Sequence, residues 1–228
     1  MISYLKEPHK KEEVEKILNP IVKQWFFTKF KEFSLPQLYG VLEIHNENNI
    51  LISAETGSTK TLTAFLSILN ELINLSENNM LEDKTYAVYI SPLKALSNDI
   101  FFNLIKPLEE IEKLAEKKFG IRIAVRTGDT TASEKQKMSK KPCHILITTP
   151  ESLAIVLTST KFIEHLKSTR YVIIDEIHAL ADSKRGTHLS LSIERLQAIT
   201  QEPLTRIGLS ATISPLEEVA QFLVGLEN

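Results

Sequence analysis

Along this chain, short runs of β-branched and other apolar residues alternate with longer stretches whose apolar positions recur at helical spacing. The short runs are NNILISA, TYAVYIS, GIRIAVRTG, CHILITTP, RYVIIDE and TRIGLSAT. They are apolar nearly throughout instead of alternating, which is the habit of strands covered on both faces in a parallel sheet. Between them, TKTLTAFLSILNELINL, LKALSNDIFFNLIKPLEEIEKLAEKK, ESLAIVLTST, THLSLSIERLQAIT and SPLEEVAQFLVG carry the helical period. Strand and helix in alternation predict a three-layer α/β domain with a mostly parallel sheet and right-handed crossovers.

The first forty residues differ. KKEEVEKILNPIVKQWFFTKFKEF is helical in period, with Pro20 expected to break it in two, and reads as an N-terminal helical extension. The polar stretches SENNMLEDK and TTASEKQKMSKKP read as surface loops. Neither an internal repeat nor a long linker divides the chain.

Composition narrows the class. A length of 228 residues with 43% hydrophobic content supports a real buried core, and a formal net charge of -2 supplies no global basic field for nucleic acid or an anionic membrane. Any such binding must come from local patches. The single cysteine, Cys143, excludes an internal disulfide and a thiolate zinc cage, and it suits a reducing cytoplasm. The N-terminus is charged, and no run approaches the roughly 20 apolar residues that span a bilayer. A cytoplasmic protein without membrane contact is the expectation.

The chemistry falls where strands end and helices begin. SAETGSTKT follows the first strand, and Lys60-Thr61 opens the next helix, the placement of a phosphate cradle: backbone N–H groups wrap the phosphates, lysine reaches the terminal ones, and the hydroxyl holds magnesium. In YVIIDEIHAL, Asp175 and Glu176 come directly after an apolar strand. Carboxylates there are costly to bury unless they meet a cation or a proton, which assigns magnesium to Asp175. Glu176 would then orient or deprotonate an attacking water. IGLSATISP ends a further strand with Ser210 and Thr212, placed to relay changes near the phosphates.

In this order, AETGSTKT, SPLKAL, TGDT, TPESL, DEIH and SAT resemble the motifs of superfamily 2 DExH-box helicases. More narrowly, WFFTKFKEFSLPQ, YISPLKALSNDI, TTPESL and DEIHALADSKRGTHLSLSIERL are similar to the large helicase-related (Lhr) proteins of archaea and bacteria. The resemblance runs from about Trp25 onward. It implies a RecA-like P-loop NTPase fold, with residues 1–36 leading into a glutamine motif and residues 37–228 forming the first ATP-binding lobe.

The resemblance also implies roles. Gln37 would read the adenine edge with an aromatic such as Phe30 nearby, and Thr56, Gly57, Ser58, Thr59, Lys60 and Thr61 would hold ATP. Lys60, Asp175, Glu176 and His178 would form the catalytic set, Thr61 and Asp175 taking Mg2+. His178 would couple hydrolysis to strand movement through Ser210, Ala211 and Thr212. Ser91, Pro92, Lys94 and Ala95, then Thr127, Gly128 and Asp129, then Thr149, Pro150 and Glu151, would line the track of one nucleic-acid strand, DNA being implied over RNA. Lys184 and Arg185 would add attraction, as would the lysines of SEKQKMSKKP, for which a plain solvated loop is the simpler reading.

Two departures stand out. The family pattern APTGSGKT has here Glu55 for proline and Thr59 for its last glycine. A β-branched residue resists conformations that glycine adopts, and Glu55 adds negative charge beside a polyanion, so reduced nucleotide affinity or turnover is expected. After VAQFLVGLEN no counterpart of the family's second RecA-like lobe follows, so weak hydrolysis and no translocation are expected of this chain alone. The competing reading is a non-catalytic, degenerate lobe that grips nucleic acid or a protein partner.

Overall fold

A computed structural model describes residues 2–55, 59–92, 99–181, 183–212 and 215–225. At its centre β1 (Ile50–Ser53), β2 (Ala87–Ile90), β3 (Ile123–Arg126), β4 (Ile145–Thr148), β5 (Tyr171–Ile174) and β6 (Thr205–Ser210) form one six-stranded sheet in the order β1-β6-β5-β2-β4-β3. Every pairing is parallel. Each of the six apolar runs supplies one strand, as the sequence pattern predicts.

The helices in chain order are α1 (Lys11–Ile17), α2 (Pro20–Lys29), α3 (Leu35–His45), α4 (Lys60–Glu77) and α5 (Lys106–Leu114), the last entered through a π-helical turn at Phe101–Ile105. There follow α6 (Ala132–Lys140), α7 (Pro150–Val156), α8 (Thr160–Leu166), α9 (His178–Ala181), α10 (Lys184–Ile199) and α11 (Leu216–Val224). They cover both faces of the sheet, which explains why its inner strands are continuous apolar runs. Successive strand residues point to opposite cores. Ala87 and Tyr89, Ile145 and Ile147, and Tyr171 and Ile173 enter the core built with α1 to α5. Val88 and Ile90, Leu146, and Val172 and Ile174 enter the other, built with α7, α8, α10 and α11.

The N-terminal helices share the first of these cores through Val14, Val22, Trp25 and Phe26. Pro20 opens α2 at its first turn, where a missing N–H is harmless. Asn19 caps it by accepting from the Ile21 N–H at 2.9 Å. The same residue fastens the extension to α4: its N–H donates to Asn70 Oδ1 at 2.6 Å, and its Nδ2 to Asn74 Oδ1 and Glu77 Oε2, both at 2.7 Å. Gly40 lets α3 lie close, since a Cβ there would stand 2.7 Å from Ile52 Cδ1 and 2.8 Å from Thr63 Cγ2.

Two local expectations are corrected. TTASEKQKMSKKP is not a loop; it contains α6, started by a capping box in which the Thr131 N–H donates to Glu134 Oε2 at 2.8 Å and the Glu134 N–H to Thr131 Oγ1 at 3.3 Å. The helix buries no residue, so it has no apolar stripe to read. Two further helices, α3 and the seven-residue α8, fall outside the segments read as helical from the sequence. Among the described residues no helix is long and apolar enough to cross a membrane.

At the opposite end of the strands from the motif loops, His144 is buried, with Nδ1 accepting from the Arg122 N–H at 2.9 Å. Burial pushes its imidazole down to about 4 from the ordinary 6.5. The folded pKa is the lower one, so the contribution is complete above pH 6.5 and is lost as pH falls toward 4. It amounts to at most about 3 kcal/mol. His144→Asn, which keeps an acceptor near the Nδ1 position, is expected to lose less stability than the wild type between pH 7 and pH 4 in urea titrations. Equal losses would mean that His144 does not titrate with folding.

Candidate functional site

The loop between β1 and α4 is described at Ala54, Glu55 and Thr59; Thr56, Gly57 and Ser58 lie outside the described residues. Lys60 opens α4 almost fully buried, with Nζ donating to the carbonyls of Ala54 at 2.6 Å and Glu55 at 2.9 Å. Thr61 is half-buried on the same first turn. Thr59 caps the helix at φ -82° and ψ 25°. Its φ is negative, so the left-handed conformation that favours glycine is not what Thr59 adopts here. Its hydroxyl pairs with that of Ser34. Its carbonyl accepts from both the N–H and the hydroxyl of Thr63 at 2.8 Å.

Ser34 brings in the glutamine segment. It caps α3, and its N–H donates to Gln37 Oε1 at 2.9 Å, so the amide of Gln37 is held from one side. Gln37 is 1% exposed, yet its Nε2 has no hydrogen-bond partner among the described residues. A buried amide donor left unpaired costs on the order of 1–3 kcal/mol, so this group calls for a partner that the described residues do not supply. Phe30 ends α2 half-buried, packed 4.9 Å from Phe26 and 6.4 Å from Trp25 between ring centroids.

On the neighbouring strand ends, Asp175 and Glu176 leave β5. Asp175 is 3% exposed, and burial raises its carboxyl above the ordinary range. Its Oδ2 accepts from the Tyr89 hydroxyl and its Oδ1 from the Glu176 N–H at 2.9 Å. Glu176 holds φ at 49°, the left-handed region that non-glycine residues rarely occupy. The Glu176 carboxylate lies 3.3 Å from His178 Nε2, and His178 Nδ1 accepts from the Ala211 N–H at 3.2 Å.

His178 therefore joins the carboxylate pair to the SAT segment through the Ala211 backbone rather than through the Ser210 or Thr212 side chains. The Ser210 hydroxyl donates to the Ala211 carbonyl at 2.8 Å, and Thr212 is exposed. The same segment is tied to the end of β1 and the start of the loop that follows: Ala54 N–H donates to Ser210 O at 3.2 Å, and Ser53 Oγ to Ala211 O at 3.1 Å. Sequence reasoning missed Ser53 and Tyr89. The second carries a signal, a tyrosine in a strand otherwise made of Ala, Val and Ile.

These residues fit a magnesium nucleotide. Asp175 and Thr61 offer hard oxygens, Lys60 an ammonium, and Gln37 a free amide donor. Among the described residues no group of three or more His, Cys, Asp or Glu could cage a metal. Magnesium asks for less, being held usually through one or two carboxylates with substrate phosphates and waters.

The segments expected along the nucleic-acid track leave the other three strands, β2, β4 and β3. Ser91 and Thr149 are buried at 0% and 3%, and Thr149 accepts from the Ser152 N–H at 3.3 Å to cap α7. Pro150 is buried too, and Pro92 half-buried; Lys94 and Ala95 lie outside the described residues. Gly128 and Asp129 are exposed in a turn closed by the Thr127 N–H donating to Thr130 Oγ1 at 2.8 Å. Arg185 is not free: its Nε donates to Glu151 Oε1 at 2.6 Å and its Nη2 to Oε2 at 3.3 Å. Lys184 beside it is exposed.

Residues 35–221 match the family described as DEAD/DEAH box helicase. The chain is 56% identical over 233 residues to the ATP-dependent helicase Lhr-Core protein 2 of Thermococcus barophilus, covering 100% of this chain and 27% of that relative. To the Lhr-Core helicase of Methanocaldococcus jannaschii it is 58% identical over 229 residues, covering 98% of this chain and 27% of the relative. It thus spans about a quarter of the length of these curated relatives. Among solved structures, Lhr of Mycobacterium smegmatis bound to single-stranded DNA and AMP-PNP superposes with a TM-score of 0.83 at 43% identity, over 91% of this chain and 26% of that one.

The positive φ of Glu176 predicts a stability cost that a substitution can relieve. Asn tolerates the left-handed region better than Glu, and a partly exposed Glu–His contact contributes little. Glu176→Asn is expected to raise unfolding stability in urea by about 0.5–1 kcal/mol. A loss of stability would show that the carboxylate serves the fold.

Proposed function

Because the chain belongs to the DEAD/DEAH box helicase family and is Lhr-like within it, we propose that it is the ATP-binding first RecA-like lobe of a helicase acting on single-stranded nucleic acid, DNA in preference to RNA. Residues 37–228 form the lobe and residues 1–36 a helical extension leading into it. The observation that supports this best is the connected set Lys60–Ala54–Ser210 and Glu176–His178–Ala211, which spans three adjacent strand ends.

Gln37 donates its unpaired Nε2 hydrogen to the adenine edge while Ser34 holds its carbonyl. The backbone of residues 56–59 and the Lys60 ammonium bind phosphates. Magnesium, held by Thr61 and Asp175, neutralises phosphate charge when bound. Glu176 orients the attacking water and accepts its proton, and His178 reports the state of Glu176 to Ala211. Thr127, Gly128, Asp129, Pro92, Glu151 and Lys184 face the strand, with Ser91, Thr149 and Pro150 shaping their loops.

The relatives are about four times as long as the region they share with this chain. A second lobe, in the full protein or in trans, would add arginines to the phosphates. Arginine fingers contribute on the order of 10³ to 10⁵ in rate in related enzymes, so this lobe by itself hydrolyses ATP slowly. Thr59 adds little to that slowness, since its φ is ordinary and its hydroxyl is turned to Ser34. Glu55, a negative charge beside the phosphates, is what still favours the second reading, a binding module that does not turn over ATP.

Calorimetric titration of magnesium ATP separates the two. The chain and Thr59→Gly are expected to bind within about threefold of each other, and Lys60→Ala at least about tenfold more weakly, the loss of a charge-assisted bond. Binding by Thr59→Gly alone would favour the idle module. Binding unaffected by Lys60→Ala would place the nucleotide elsewhere.

A further inference from the structure

Tyr89 lies at the centre of the sheet with no exposed surface, in the strand Ala87–Ile90, where every other side chain is aliphatic. Its ring leans on Phe65 of α4, centroids 5.0 Å apart and planes inclined by 33°. Phenylalanine would satisfy that packing. The added hydroxyl is costly to bury unless it finds an acceptor, and the acceptor it finds is Asp175 Oδ2.

The parallel register explains the reach. Tyr89 stands beside Ile173, the ladder continues through the Asp175 N–H donating to Ile90 O at 2.8 Å, and residues 171, 173 and 175 share the face that carries Tyr89. With Glu176 N–H on Oδ1 at 2.9 Å, both oxygens of this carboxylate are gripped from the protein side. The two grips fix the rotation of the carboxyl plane.

We infer that Tyr89 is a positioning residue for the divalent cation, its hydroxyl setting the orientation in which Asp175 receives magnesium. This rests on the reading of Asp175 as the magnesium carboxylate. Residues behind a metal ligand that orient it commonly carry 10- to 100-fold of metal affinity. Tyr89 also leads, two residues on, into the Ser91-Pro92 segment.

The test compares ADP binding by calorimetry in excess magnesium and in EDTA, for the chain and for Tyr89→Phe, which retains the ring against Phe65. A gain in ADP affinity from magnesium is expected in the wild type. In Tyr89→Phe that gain is expected to shrink by about tenfold while affinity in EDTA stays within about twofold. A gain of unchanged size would overturn the inference. So would an equal fall in both conditions, the mark of a packing role; a circular-dichroism melt of each protein identifies misfolding as its cause. A wild type that binds ADP with no magnesium gain would instead overturn the assignment of Asp175, and the role of Tyr89 with it.

Discussion

Parallel strands deliver their carboxyl ends to one edge of the sheet, and the order β1-β6-β5-β2-β4-β3 decides which ends are neighbours there. Everything at this site depends on that order. Because β6 is inserted between β1 and β5, the phosphate loop, the SAT segment and the carboxylate pair stand side by side although residues 60, 175 and 211 are far apart in the chain. The other half, β2-β4-β3, gathers the SP, TPES and TGD segments in the same way. The proposed nucleotide contacts and the proposed strand contacts thus fall on two contiguous halves of one edge, meeting where β5 lies against β2.

That meeting line is where burial and polarity conflict most. Asp175 is nearly buried, and a carboxylate there is tolerable only with donors on both oxygens or a cation in front of it. Tyr89 crosses from β2 to supply one donor, and the Glu176 backbone supplies the other at the expense of a left-handed φ. Further along the edge, His178 spans from Glu176 to Ala211, and Ser53 and Ala54 bind the same segment from the phosphate-loop side. Short contacts through backbone groups make the three strand ends one mechanical unit.

The strands were legible in the sequence because each is an apolar run, Asp175 and Glu176 stood out because carboxylates are costly at the end of a buried strand, and Lys60 because it opens the helix after the first strand's turn. What stayed hidden depends on partners distant in the chain. At Thr59 the sequence shows neither its φ nor Ser34 across from it. Arg185 looked free, since nothing local announces its ion pair with Glu151. Helix α6 has no buried side at all, and only its capping box, TASE, could have revealed it.

What most needs testing is the proposal that the carboxyl edge of this sheet binds magnesium ATP. Hydrogen–deuterium exchange, measured on the chain with and without a non-hydrolysable ATP analogue and magnesium, tests it directly. The account predicts slowed exchange in residues 34–38, 54–63, 175–178 and 209–212, and unchanged exchange at the opposite strand ends around His144. Slowing confined to surfaces away from the strand ends, or none at saturating analogue, would contradict it.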